Sequence, residues 1–315
     1  MDQKDGRGAV ASLNVSGRKG TAKSPQSRVK LGSLGIVGDA HAGRGHRQVS
    51  LLAVEDVERF SASARGGRRY RPGDFAENIT TRGLDLGQVG LLDRLSVGPV
   101  ELEISQIGKA CHGEGCAVFK DIGRCVMPKA GIFARVLRGG IVRIGDAIAW
   151  RPRPLRVRIL ALSDRASAGE YEDRSGSGIQ ELLEGFFEGK RWHPHFQRSV
   201  IADEEKDLLS RLRRWCREGC DIIMTTGGTG IGPRDITPDV VAAFADRLIP
   251  GVMEHVRLKH ADRIPASVLS RSLAAVKGKT LIYCLPGSPQ AVAEYLAEII
   301  KSLEHALAML HGLGH

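Results

Sequence analysis

A chain of 315 residues, 42% hydrophobic and 26% charged, has a globular composition and enough length for two domains, each with its own core. No apolar run approaches membrane-spanning length and Met1-Asp2-Gln3-Lys4-Asp5 lacks a signal-peptide core, so a cytoplasmic protein without membrane contact is expected. The net charge of +10 sits in the first half: residues 1–156 hold 26 Lys/Arg against 15 Asp/Glu, residues 157–315 hold 20 against 21, and the 5% aromatics are not interleaved with basic residues as nucleic-acid binding would favour.

The basic half therefore reads as a site for a phosphorylated small molecule, a face for an acidic partner, or a solvated surface. Six cysteines at uneven spacing read as reduced thiols and not as a disulfide frame. In chain order, alternating runs at 9–15, 91–97 and 100–104 between glycine turns, with one helix over Val54–Ser63, predict a mostly-β first domain closed as a compact barrel. Trp150-Arg151-Pro152-Arg153-Pro154-Leu155-Arg156 has two prolines and no periodicity and reads as an extended linker, which places the domains at 1–152 and 156–315. Beyond it come a strand over Val157–Leu162, a helix near Gly178–Phe187, a strand Ser199–Ile201, and a helix from Glu204 to Glu218 with Leu208, Leu209, Leu212 and Trp215 on its core face. A strand Ile222–Met224, a hairpin within Leu273–Leu285 around Lys277-Gly278-Lys279, and a helix from Pro289 to Leu310 complete the chain. This alternation predicts a doubly wound, mostly parallel α/β sheet with ligands at the strand C-terminal ends.

The most informative segment is Thr225-Thr226-Gly227-Gly228-Thr229-Gly230-Ile231-Gly232-Pro233-Arg234-Asp235-Ile236-Thr237-Pro238-Asp239. Its glycines leave backbone N–H groups open to an anion, and Thr237 is placed as the N-cap of a helix with Pro238 at its first position. A strand, a glycine loop and a helix start can hold phosphates. It is neither a Walker A loop nor the dinucleotide fingerprint, because the lysine and the glycine spacing are wrong. Alone it reads equally as a structural turn; Asp235 beside it implies a metal ion or an arginine to offset repulsion.

With Leu162-Ser163-Asp164-Arg165-Ala166-Ser167-Ala168-Gly169 ahead and Leu285-Pro286-Gly287-Ser288-Pro289 behind, this segment resembles the molybdopterin adenylyltransferases of the MogA/MoaB type, from about Arg156 to the C-terminus. The resemblance implies a molybdopterin-binding fold that adenylylates molybdopterin from ATP with Mg²⁺. It matches Asp203 and Asp235 to the family's essential acidic positions, which would hold the metal; read alone, Asp203 is more readily a helix N-cap. Ser163 and Asp164 resemble the start of the substrate pocket, Asp173-Arg174-Ser175-Gly176 matches a further motif in which Ser175 is placed as a helix cap, and Arg165 or Arg174 could pair with the pterin phosphate. Thr226, Gly227, Gly228, Thr229 and Gly230 form the implied cradle, Pro286, Gly287 and Ser288 a second tight turn, and Ser270 either a matching pocket residue or a plain serine. Tyr171-Glu172 makes one loop bulkier and more acidic than the family pattern, and His193 and His195 show no metal spacing and are read as surface residues.

In the first half, Gly38-Asp39-Ala40-His41-Ala42-Gly43, His46-Arg47-Gln48-Val49-Ser50, Gly73-Asp74-Phe75-Ala76-Glu77-Asn78 and Cys125-Val126-Met127-Pro128 resemble a MOSC domain, the module related to the C-terminal part of molybdenum cofactor sulfurase. That implies binding of the pterin or molybdenum cofactor, or sulfur carried on a cysteine, with Cys111, Cys116 and Cys125 as candidates and Cys111 favoured by Lys109 and His112. Cys111, His112, Cys116 and Cys125 read alternatively as a metal site, though of no recognised zinc spacing. His41 and His46, flanking Arg44 and Arg47, are either anion contacts or turn residues. The expectation is a bifunctional protein of molybdenum cofactor biosynthesis that works beside other proteins of that pathway and, by resemblance, as a trimer or hexamer. The rival expectation is a carrier or insertion protein without turnover.

Overall fold

The computed structural model describes residues 6–63, 69–109, 119, 125–170 and 172–313, and divides into two compact units between Arg153 and Pro154. Among the described residues no helix is long and apolar enough to cross a membrane.

The first unit is a closed barrel of seven strands: β1 (Arg7–Val15), β5 (Val49–Ala53), β6 (Ile79–Arg82), β7 (Arg94–Val97), β8 (Val100–Ile107), β9 (Ile132–Arg138) and β11 (Ala147–Arg151). Antiparallel pairing of β1 with β11 closes it, which removes the open edges a flat sheet would leave. Period-two alternation turns Leu95, Val97, Val100, Leu102 and Ile104 into a fully buried interior with Leu13, Leu51 and Ile79. Strand β2 (Ser24–Gln26) extends β1, and β3 (Arg28–Gly32), β4 (Gly35–Ile36) and β10 (Gly140–Arg143) form a separate three-stranded sheet. Helix α1 (Val54–Ala62) follows β5 directly, and a short helix α2 spans Met127–Ala130.

The run at 91–97 is strand only from Arg94. Leu92 takes φ +67, which breaks the extended chain, and Asp93 turns inward. Its carboxyl group accepts from the Gly90 N–H (2.6 Å), Trp150 Nε1 (2.7 Å) and the Arg153 N–H (2.8 Å), so a fully buried polar group is satisfied by these donors and ties down the end of β11.

In the second unit the sheet order is β13 (His193–Ile201), β12 (Pro154–Leu162), β14 (Ile222–Thr226), β17 (Thr280–Leu285), β16 (Ala274–Lys277) and β15 (Arg247–Leu248). The first four are parallel, and β16 and β15 follow by antiparallel pairings. Helices α3 (Asp164–Ser167), α4 (Arg174–Phe187), α5 (Glu205–Arg217), α6 (Thr237–Phe244), α7 (Pro250–Ala261) and α8 (Pro289–Leu310) connect them. The apolar faces of α5 and α6 (Leu208, Leu212, Trp215; Val240, Val241) pack with Leu160, Ile223 and Ile282 of the sheet.

Three sequence expectations change here. The expected linker is almost all strand: β11 runs to Arg151 and β12 starts at Pro154, whose missing N–H is tolerated at a strand's first residue. Strand β13 begins at His193, six residues before the expected Ser199, so His193 and His195 lie in it. As an edge strand paired only with β12, it tolerates the polar sequence that hid it. Helix α4 begins at Arg174 and not near Gly178, because Asp173 caps it.

Helices α7 and α8 are joined through Glu298. Its carboxylate accepts from Lys259 (2.6 Å), from Lys301 (2.8 Å to each oxygen) and contacts His255 (3.0 Å), which together hold it down at a pKa of about 2. A carboxyl depressed in the folded state stabilises above its ordinary pKa, and that contribution disappears as pH falls towards the folded value. Thermal unfolding of Glu298→Gln should therefore start well below the parent at pH 7, with the gap closing between about pH 4.5 and pH 2. In chemical denaturation, Asp93→Ala should cost about 2–4 kcal/mol, because three donors lose their buried acceptor.

Candidate active site

The chain leaves β12 for β13 on one side and returns to β14 on the other, so the crossovers diverge over the C-terminal ends of β12 and β14. The glycine loop starts there. Thr226 Oγ1 donates to the Pro286 carbonyl (2.7 Å) and the Gly227 N–H to the Leu285 carbonyl (3.1 Å), which ties the loop to the turn after β17. Gly227 takes φ +101, and a Cβ there would stand 2.2 Å from the Leu162 carbonyl oxygen. Gly228 takes φ +60, and its Cβ would meet Thr237 Oγ1 at 2.6 Å and Asp203 Oδ1 at 3.3 Å. Glycine is the residue both positions admit.

Thr237 is the first residue of α6 and not its cap, since its hydroxyl is used on the loop: Oγ1 donates to the Gly227 carbonyl (3.0 Å) and its N–H to the Gly228 carbonyl (3.1 Å). Ile236 holds the cap position without a side-chain bond. The N–H groups of Gly228, Thr229, Gly230 and Ile231 donate to no described residue, which leaves four consecutive donors for an anion.

Asp203, after β13, and Asp164, after β12, bond reciprocally: the Asp203 N–H to Asp164 Oδ1 (3.0 Å) and the Asp164 N–H to Asp203 Oδ2 (3.2 Å). Arg234, from the glycine loop, pairs with Asp164 (2.6 Å) and approaches Glu204 (3.6 Å). The Asp203 N–H and Arg234 hold the exposed Asp164 carboxyl below its ordinary pKa. Desolvation pushes Asp203 up, and the negative charges of Asp164 and Asp235 add to it. Asp203 Oδ1 is buried with no hydrogen-bond partner, and Asp203 does not cap α5, whose cap position is Glu204. Asp235 accepts from the Gly232 N–H (2.8 Å).

An orphaned carboxylate oxygen beside open N–H donors fits Mg²⁺ arriving with phosphate oxygens, because that ion takes one or two protein carboxylates and otherwise water and phosphate. Among the described residues no group of three or more His, Cys, Asp or Glu is gathered for a metal, so most ligands of an ion here would come from outside the chain.

Beside this corner lies a cavity of about 480 Å³ whose wall includes Ser163, Asp173, Arg174, Ser175, Asp203, Thr226, Gly227 and Gly287. Asp164, Gly228, Thr229, Gly230, Asp235, Ser270, Pro286 and Ser288 are not on its wall. Several of the serines have structural work. Ser163 caps α3 through the Ala166 N–H (3.2 Å) and Ser288 caps α8 through the Ala291 N–H (3.3 Å). Ser270 shares a hydrogen bond with Ser272 (2.8 Å). The expected cap by Ser175 is a correction: Asp173 accepts the Gly176 N–H (2.8 Å), while the buried Ser175 donates to the Gly287 carbonyl (2.6 Å) and joins α4 to the turn after β17. Arg165 pairs with Glu170 (3.1 Å) and is not on the cavity wall; Arg174 is on it and exposed.

Sequence reasoning missed Arg271 and Arg234. The Arg271 N–H donates to the Thr229 carbonyl (2.8 Å), its Nε to the Gly230 carbonyl (2.7 Å) and an Nη to the Asp235 carbonyl. Its other Nη holds both oxygens of Asp239 (2.8 Å each). No local pattern announces this, because Arg271 lies over thirty residues beyond the loop.

The barrel unit has its own cavity of about 600 Å³, with Lys19, His41, His46, Arg47, Lys109 and Cys125 on its wall. Asn78 and Ala76 also line it, the latter at φ +64, a strained value for a residue with a Cβ. Beneath it Asp39 accepts from Lys23 (2.7 Å), Asn78 (2.9 Å) and the His41 N–H (2.9 Å) and contacts His41 Nδ1 (3.2 Å). Burial alone would raise the Asp39 pKa; the bonds from His41 and Lys23 outweigh it and hold the carboxyl well below the usual range. Cys125 is half-buried on the cavity wall. Cys111, His112 and Cys116 lie outside the described residues. Of the others, burial pushes Cys220 and Cys284 up to about 12 and raises Cys216, which suits inert thiols.

Comparison with known proteins separates the same two regions. Residues 158–305 match the model of a probable molybdopterin binding domain, and residues 38–149 match that of the MOSC domain. Molybdopterin adenylyltransferase of Helicobacter pylori J99 is 35% identical over 159 residues, which cover 50% of this chain and 89% of that protein. The enzyme of the same name from Haemophilus influenzae is 39% identical over 152 residues, covering 48% and 75%. The molybdenum cofactor biosynthesis bifunctional protein of Chlorobaculum tepidum is 34% identical over 160 residues, covering 51% and 50%. Among solved structures, the molybdopterin biosynthesis enzyme MoaB of Thermus thermophilus is 39% identical, covers 50% of this chain and 97% of that one, and has a TM-score of 0.46. The chain thus belongs, through its second unit, to the MogA-type molybdopterin-binding family of molybdenum cofactor biosynthesis, with a MOSC domain in its first half.

Proposed function

We propose that the second unit transfers AMP from ATP to the phosphate of molybdopterin. A phosphate oxygen of molybdopterin attacks the α-phosphorus of ATP, the bond from that phosphorus to the bridging oxygen breaks, and pyrophosphate leaves. The observation that carries this reading is the pairing of four open N–H donors, Gly228 to Ile231, with the buried, unpartnered Asp203 Oδ1 at one corner. Donors fixed before the ligand arrives stabilise charge without reorganisation, and this reaction asks chiefly for positioning and charge neutralisation.

In this reading Asp203 and Asp235 hold Mg²⁺, which supplies neutralisation of the phosphate charge. Asp164 and Arg234 keep Asp203 turned towards the loop, Arg174 lies where it can meet a pterin phosphate, and the cavity beside Ser175 and Gly287 takes the pterin. The barrel unit binds the pterin or finished cofactor in its basic cavity, where Lys19, Arg47 and Lys109 suit a phosphate and Cys125 is the described candidate for carrying sulfur. Joining both units in one chain keeps their effective concentrations high for successive steps.

The test is pyrophosphate release and adenylylated pterin formation by the full chain with Mg-ATP and molybdopterin. Asp235→Ala and Asp203→Asn should each lower turnover by about a hundredfold or more. A parent protein that binds molybdopterin tightly yet releases no pyrophosphate would replace this reading with the carrier.

A further inference from the structure

We propose that Arg271 is the positioning residue that shapes the phosphate cradle, an inference that rests on the nucleotide reading above. In a trans peptide unit the C=O and the following N–H point in opposite directions, and no cis peptide is present among the described residues. Arg271 takes the carbonyl of Thr229 on its own N–H (2.8 Å) and the carbonyl of Gly230 on its Nε (2.7 Å). The other ends of those same two peptide units are the N–H groups of Gly230 and Ile231. Drawing the carbonyls to one side therefore turns these two donors to the other, where no described residue takes them. A third bond, from an Nη to the Asp235 carbonyl, fixes the far end of the loop and with it the position of the Asp235 side chain.

The remaining Nη grips both oxygens of Asp239 in the first turn of α6 (2.8 Å each). That pair anchors the guanidinium and neutralises it, so Arg271 organises the cradle and is not itself the phosphate's counter-charge. The geometry needs a planar fork with donors in several fixed directions. A lysine at 271 would keep the charge and the backbone N–H but not the fork.

The experiment measures Mg-ATP and adenosine binding to the full chain by calorimetry, with amide hydrogen exchange across residues 228–236, for the parent, Arg271→Ala and Arg271→Lys. Arg271→Ala should lose about tenfold or more in ATP affinity, with adenosine affinity unchanged and exchange faster in the loop while the sheet strands keep theirs. Arg271→Lys should behave like the alanine variant, and free guanidinium should restore ATP binding to Arg271→Ala. A merely structural role would speed exchange in the sheet and weaken both ligands alike. Unchanged ATP affinity in both variants would overturn the assignment. If the parent binds no ATP, the nucleotide reading falls on its own, and loop exchange decides the clamp: unchanged exchange in both variants overturns it, and faster exchange confined to the loop upholds it.

Discussion

The Leu162 carbonyl and the main chain of Gly227 meet so closely that no side chain fits between them: a Cβ on Gly227 would stand 2.2 Å from that oxygen. This contact lets the loop after β14 fold back over the end of β12 and stay in register with the turn after β17, where a Cβ on Gly287 would stand 3.5 Å from the Gly227 Cα, at ordinary packing distance. Asp203 Oδ1 then faces the main chain of Gly228, and Asp164 reaches Asp203 through paired backbone bonds. Three strand ends converge because two glycines give up their side chains.

Buried carboxylates elsewhere in the molecule show what a satisfied one looks like. Asp93 has three donors, Asp39 has Lys23, Asn78 and His41, and Glu298 has three basic neighbours. Each ties elements together within its unit. Asp203 differs from these three: desolvation and like-charged neighbours raise its pKa while one oxygen has no partner, and although Glu55 and Glu77 also keep an unpartnered buried oxygen, that of Asp203 faces the glycine loop. An unpaired buried acceptor beside open backbone donors marks a place for a ligand to complete it. The barrel cavity follows a second pattern, in which a satisfied Lys23–Asp39 pair holds His41 beside a wall carrying Lys19, Arg47 and Lys109. One cavity gathers positive side chains, and the other lies beside the corner where Asp203 meets the open backbone donors.

Much of the architecture is legible in the sequence because its signals are local. The 3.6-residue periodicity of Leu208, Leu212 and Trp215, the apolar run at Ile222–Met224 and Pro289 at the start of the last helix each report on their own neighbourhood. Expectations failed where the deciding partner is distant. Strand β13 reads as polar loop because its register comes from β12, and the supposed linker became strand for the same reason. Ser175 and Thr237 look like caps by position, but the Gly287 and Gly227 carbonyls claim their hydroxyls. Arg271 bears on the loop from 32 to 42 positions further along the chain, beyond the reach of any window.

By itself the sequence determined that this chain carries a β-rich basic half and an α/β half, and that a glycine loop with an aspartate follows a buried strand. Composition, periodicity and turn chemistry act over a few residues and need no partner to be read. Tertiary structure alone decided which hydroxyls cap helices and which brace turns, and that Asp203 keeps an unpaired oxygen beside four open N–H groups. It also decided that an arginine from another segment collects the loop's carbonyls. Hydrogen-bond partners and desolvation are set by what the folded chain brings within about 3 Å, and that depends on the packing of the whole sheet.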